Sequence, residues 1–131
     1  MITTRVIPPA EADSQVLLVE IIEQLCRKYC INASLQPSAS VAFTASPVRL
    51  LDGFALTTIT AVVTVNTPVC QTCGCATTQV FTERFDLAFT ATTANTITIA
   101  QGDTTMVEPA YRACCMAKGV KLTTTLTVSI A

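Results

Sequence analysis

Seven cysteines and no histidine define the side-chain chemistry open to this chain of 131 residues. Cys70, Cys73 and Cys75 crowd into residues 69–76, VCQTCGCA; Cys26 and Cys30 stand one helical turn apart, and Cys114 and Cys115 are adjacent. The sequence C-x-x-C-G has the shape of a metal knuckle, in which a tight turn aims two thiolates at one ion and the glycine lets backbone N–H groups approach the sulfurs. Cys70, Cys73 and Cys75 are therefore the candidate ligands for a zinc ion. A tetrahedral site also needs a second half-site. Cys114 and Cys115 are available for it, but vicinal side chains tend to point apart, and no histidine can take their place.

Two other uses of sulfur compete with a metal. A thioredoxin-like redox centre places C-x-x-C at the start of a helix, where the dipole lowers the thiol pKa, whereas this motif lies between two strand-like segments. Disulfide cross-linking makes use of the odd count, because an unpaired cysteine in an oxidising setting points to a bond between chains. All seven, Cys26, Cys30, Cys70, Cys73, Cys75, Cys114 and Cys115, are candidates for such links. The plain alternative is a set of free, buried thiols in a reducing compartment, although thiols in that role usually sit singly inside strands rather than in clusters.

Catalysis finds little footing. Without histidine the commonest general base, the commonest metal ligand and every His-based triad are absent. The acids are sparse and form no evident carboxylate pair, and with 4 glycines there is no phosphate-cradling loop. An enzyme is not expected. A charged fraction of only 13% and a net charge of -1 offer no electropositive field for nucleic acid, and such a surface tends to associate. No basic segment followed by an apolar run marks a signal peptide, and the longest apolar run, Val16 to Val19, is too short to cross a bilayer, so membrane insertion is not expected either.

The elements that must position the cysteines follow from periodicity. Residues 1–12 carry Pro8 and Pro9 and read as an extended N-terminal arm. Residues 13–131 read as one domain, made of a helix over 14–30 and a β-sandwich over 38–131. In the helical reading Leu18, Ile22, Leu25, Cys26 and Tyr29 share an apolar face, Glu23 pairs with Arg27, and Cys26 and Cys30 fall near the last turn. Beyond Asn32 the pattern turns to strands: SVAFTAS, then a turn at Asp52-Gly53, FALTTITAVVTVN, the cysteine knuckle as a hairpin tip, and TTQVFTERFDLAFTAT, with Glu83 alone interrupting its apolar face. TITIA ends at Gln101-Gly102-Asp103, and MVEPAYRACCMAKG reads as a loop or one short helix. The final stretch, VKLTTTLTVSIA, alternates strictly, with Val120, Leu122, Thr124, Leu126, Val128 and Ile130 on one face.

Five or six short strands with Thr-rich outer faces define a mainly β protein, a single antiparallel sandwich of Ig-like or jelly-roll-like type with one N-terminal amphipathic helix. A small, Thr-rich, cysteine-bearing sandwich subunit with an N-terminal arm resembles in design the bacterial spore appendage proteins and the phage head-decoration proteins. The likeness is of design, with no motif matched residue by residue. It implies a structural subunit whose partners are copies of itself, in a filament, appendage, surface layer or virion shell, located on an extracellular or spore surface or in a virion. Such particles are released by lysis and need no export signal. The alternative is a small Cys-ligated zinc module docking on a partner protein.

Overall fold

The computed structural model describes residues 1–7, 14–25, 38–67, 77–90, 96–112 and 117–131. These form eight strands: β1 (Ile2–Val6), β2 (Ser14–Leu25), β3 (Ser38–Ala45), β4 (Arg49–Leu51), β5 (Phe54–Thr67), β6 (Thr77–Phe89), β7 (Ile97–Arg112) and β8 (Ala117–Ile130). One four-stranded sheet runs in the order β1-β2-β8-β7. In the second, β5 is central, with β6 on one side and β3 and β4 end to end on the other. Every pairing is antiparallel. The chain is mainly β, and the inner faces of the two sheets share one apolar cluster.

Over residues 14–25 the helix expected for 14–30 is replaced by β2, paired along its whole length with β8 and over Leu17–Ile21 with β1. The run VLLVEII is apolar in two phases at once. Leu18, Ile22 and Leu25 fit a helical face, but Leu17, Val19 and Ile21 fit a strand face, and those three are the ones the fold buries. Val16, Val19, Ile21 and Ile22 are also branched at Cβ, which stiffens them against a helix and suits a pleated surface. Glu23 accordingly does not stand on a helix facing Arg27. The expected helix residues 26–30, Cys26 and Cys30 among them, lie outside the described residues.

Strand β8 matches its pattern residue by residue, with Val120, Leu122, Thr124, Leu126, Val128 and Ile130 all buried and Thr125 exposed. On β5 the buried face is Ala55, Thr57, Ile59, Ala61, Val63 and Val65. Thr57 carries the one polar atom on that face and satisfies it by donating to Ser46 O at 2.9 Å. Ser46 also bridges the gap between β3 and β4 that Pro47 imposes: its N–H donates to Thr58 O, and its Oγ accepts from Thr58 N–H, both at 2.9 Å. Leu51 pairs with Phe54 across Asp52-Gly53, both at positive φ (51° and 83°), as a two-residue type I′ hairpin requires.

Strand β7 continues past Gln101-Gly102-Asp103, expected to end it, and through Pro109. The ladder with β8 absorbs Gly102 and Pro109 in register shifts, between Gln101 and Thr104 and between Val107 and Ala110. An edge strand tolerates such bulges and a proline because one of its sides has no neighbour to hydrogen-bond. A Cβ at Gly102 would meet Thr125 O at 3.2 Å, so glycine lets the bulge lie close against β8. Of residues 106–119, expected as a loop or one short helix, 106–112 and 117–119 are thus strand, and 113–116 lie outside the described residues.

Candidate functional site

All seven cysteines lie outside the described residues, yet the strands that carry them show where they attach. Leu25, the last residue of β2, pairs with Lys118, and Arg112 pairs with Ala117. Leu25, Arg112 and Ala117, the described residues next to segments 26–37 and 113–116, therefore stand at one end of the first sheet. Segment 68–76, with Cys70, Cys73 and Cys75, joins Thr67 to its direct partner Thr77 at one end of the second sheet. Segment 26–37, with Cys26 and Cys30, crosses from Leu25 to Ser38, which pairs with Asn66 beside that end.

Contacts between the sheets fix how these two ends are related. On one flank Gln15 Nε2 donates to Ala88 O at 2.8 Å, and the Met1 ammonium sits 2.9 Å from Glu83 Oε1 and 3.4 Å from Glu23 Oε1. Moving along β2 from Gln15 to Glu23 thus moves along β6 from Ala88 toward Thr77. On the other flank Ile97 and Ile99 line a cleft with Thr44 and Ala45, and Gln101 Nε2 donates to Val41 O at 2.9 Å. Moving along β7 toward Arg112 thus moves along β3 toward Ser38. Both flanks give the same sense, so Leu25, Ser38, Thr67, Thr77, Arg112 and Ala117, the described residues that flank segments 26–37, 68–76 and 113–116, all stand at one pole of the sandwich. The turn Asp52-Gly53 and the residues that flank segments 8–13 and 91–95 stand at the opposite pole, and none of these three stretches contains cysteine.

Beside the buried Val65 and Val120, three inward-facing positions of β2 and β6 toward the pole of Leu25 and Thr77 are polar. Gln79, Glu83 and Glu23 occupy them in place of the aliphatic residues that fill the centre, and Gln79 Oε1 has no partner among the described residues. Glu23 and Glu83 reach toward each other from opposite sheets with the N-terminal ammonium between them. Burial raises the Glu23 carboxyl above its ordinary value, and the neighbouring Glu83 adds to that shift. The hydrogen bond from Glu23, followed by that from the ammonium, holds Glu83 below its ordinary value. Burial pulls the ammonium downward, but its hydrogen bond to Glu83 and the two carboxylate charges outweigh this and leave it above 8.0.

These shifts have separable consequences for stability. The raised ammonium stabilises the fold fully below pH 8.0, and that contribution is lost as pH rises through its folded value. Depressed Glu83 contributes above the ordinary carboxyl range and is lost on acidification, while raised Glu23 contributes in the opposite sense, so the acid side partly cancels. The alkaline side gives the clean readout. Glu83→Gln is expected to lose less melting temperature than wild type between pH 7 and about 10, because Glu23 alone is left to hold the ammonium. Paired thermal melts at low salt with reductant check this, and parallel curves for the two chains would remove the clasp as an energetic feature.

The sequence reading placed no function at Glu23 or Glu83, although Glu83 did stand out as the one break in an apolar face. The chain ends carry further polar ties: Met1 and Ile22 exchange N–H···O bonds at 2.7 and 2.9 Å, and Thr96 and Ala131 do so at 3.1 and 3.0 Å. Among the described residues no group of three acidic, cysteine or histidine side chains is placed to hold a metal ion, and no helix is long and apolar enough to cross a membrane. No family model, curated protein or solved structure matches the chain.

Proposed function

We propose that this chain is a non-enzymatic structural subunit that assembles with copies of itself into a filament, appendage, surface layer or virion shell. Cysteines at one pole link neighbouring subunits. The observation that carries the reading is the attachment of all seven cysteines to the three connections of a single pole. A fold that used disulfides to brace itself would gain by distributing them, because a cross-link stabilises most when it closes a long loop between distant parts. Concentrating every thiol at one pole instead prepares that pole for another molecule, and seven thiols cannot all pair within one chain. The low charge and the Thr-rich outer strands support the same reading, since such surfaces stack without strong repulsion. An extracellular surface, a spore surface or a virion is the oxidising setting that it requires.

Native material run on non-reducing and reducing gels and viewed by electron microscopy tests this. The expected result is a ladder of covalent multimers that collapses to one band on reduction, together with fibres, sheets or shells. A monodisperse monomer whose thiols all stay free in air would sink the proposal.

The same convergence supports a second reading, the zinc module. The knuckle lacked a second half-site in the sequence, and Cys26, Cys114 and Cys115 attach to the pole it occupies. Elemental analysis separates the two: stoichiometric zinc lost on replacing Cys70 or Cys73 supports the module, and metal-free protein that still forms the ladder supports the subunit.

A further inference from the structure

We infer that β1 is an exchangeable strand, seated on its own β2 in a lone chain and on the β2 of a second copy in the assembly. The inference deepens the self-assembly reading and rests on it, naming the segment through which copies join non-covalently.

Strand β1 is held almost entirely through its backbone. Of Ile2–Val6 only Ile2 is partly buried, and Val6 is 45% exposed. By contrast β2 buries Leu17, Val19 and Ile21 in the core. The seat consists of the pairing of Ile2–Val6 with Leu17–Ile21, extended by the Met1–Ile22 bonds and by Ile7 N–H donating to Val16 O at 2.8 Å. Antiparallel ladders alternate, so the exchange at Met1–Ile22 makes Thr3–Glu20 and Arg5–Leu18 the next hydrogen-bonded pairs. An identical strand from another copy makes identical bonds in the same register. Leaving the seat exposes little apolar surface, and refilling it from a neighbour restores what was lost.

The vacated edge does not wait for an unknown partner, because the structure shows what fills it. An open β2 edge, from Leu17 to Ile21, is a row of unpaired N–H and C=O groups that templates a strand. The remaining anchor belongs to the acceptor: Glu23 and Glu83 stand on β2 and β6 and receive whichever ammonium arrives with the strand. The connection that follows β1 begins with Pro8 and Pro9, which bias a chain toward extension rather than tight reversal. Residues 8–13, fully extended, reach about 20 Å. A strand with the same contacts in both states, joined by a connection that favours reach, exchanges at low cost, and the balance shifts with protein concentration.

The test uses the full chain and a synthetic heptapeptide of residues 1–7, MITTRVI, with a free amine and a fluorophore at its C-terminus. At about millimolar peptide, comparable to the effective concentration of a tethered strand, the peptide is expected to enter assemblies saturably and to shorten them several-fold. A scrambled heptapeptide, and one carrying Thr3→Pro, which lacks an N–H that the register aims at Glu20, are expected to do neither. Assemblies that form but exclude the peptide and keep their size would overturn the exchange and leave the self-assembly reading standing. A chain that remains monomeric at every concentration, with or without peptide, would overturn that reading itself.

Discussion

Ile21→Asp is expected to unfold the domain, while Ile22→Asp leaves it folded. Ile21 lies 1% exposed on the inner face of β2, between the sheets, whereas Ile22 lies partly exposed on the outer face. Deleting the buried side chain alone costs roughly 2–5 kcal/mol. A carboxylate there finds no partner among Val19, Leu122 and their neighbours, so it must either stay charged in an apolar interior or be protonated, adding several kcal/mol more. The sum, about 5 kcal/mol or more, reaches the whole stability of an ordinary domain. At Ile22 the carboxylate keeps its water and the cost is on the order of 1 kcal/mol. Far-ultraviolet circular dichroism and thermal melts of the two variants check this. The ranking also decides between conformations, because a helix with Leu18, Ile22 and Leu25 at its centre would reverse it. Greater damage at Ile22 would overturn the assignment of β2.

The second large effect is expected at Phe89→Ala. Phe89 ends β6 opposite Ala55, is 1% exposed, and is the largest fully buried side chain among the described residues. Close packing relaxes only partly when a ring is removed, so about 3–5 kcal/mol is lost to transfer and cavity together. Val80→Ala on the same strand serves as the control: at 62% exposure it should change stability by no more than roughly 0.5 kcal/mol. Denaturant titration under reducing conditions measures both, and a loss below 1 kcal/mol at Phe89 would mean that the two sheets do not pack through this ring.

What could be read from the sequence depended on whether one face of an element is buried and the other wet. On β8 those conditions hold, and Val120 to Ile130 announce their faces by strict alternation. The same is true of β6, where Phe81, Phe85, Leu87 and Phe89 turn inward and Thr82, Arg84 and Asp86 outward. On β2 they fail. Leu18 and Ile22 on its outer face are themselves half-buried, so the alternation vanishes into a continuous apolar run, and spacing then fits helix and strand alike. The neighbours, β1 and β8, decide the matter by completing its backbone hydrogen bonds. Strand β7 was misread for a different reason: Gly102 and Pro109 are breakers locally, but an edge strand absorbs them as bulges.

The cysteines were legible as lying in three separate segments and illegible as belonging to one pole. Nothing local tells Leu25, the neighbour of Cys26, that it will stand at the same end of the sheet as Arg112 and Ala117. That proximity comes from β2 pairing with β8, two strands about a hundred residues apart. The Glu23–Glu83 clasp shares this cause, because its two acids belong to different sheets and meet only after the sheets have packed.

That long-range pairing also orders events in time. The second sheet is built from consecutive hairpins within residues 38–89, so its strands find one another over short loops. The first sheet joins β1 and β2 to β7 and β8, which are synthesised long after them. Closing so large a loop is slow compared with forming a hairpin. A nascent chain therefore carries a finished half-sandwich and a waiting N-terminal ribbon whose apolar face, Leu17, Val19 and Ile21, is covered only when residues 117–131 leave the ribosome. Expression at high density puts many such ribbons side by side during that interval. The yield of correctly closed protein should accordingly depend on the rate of synthesis as well as on the stability of the finished fold.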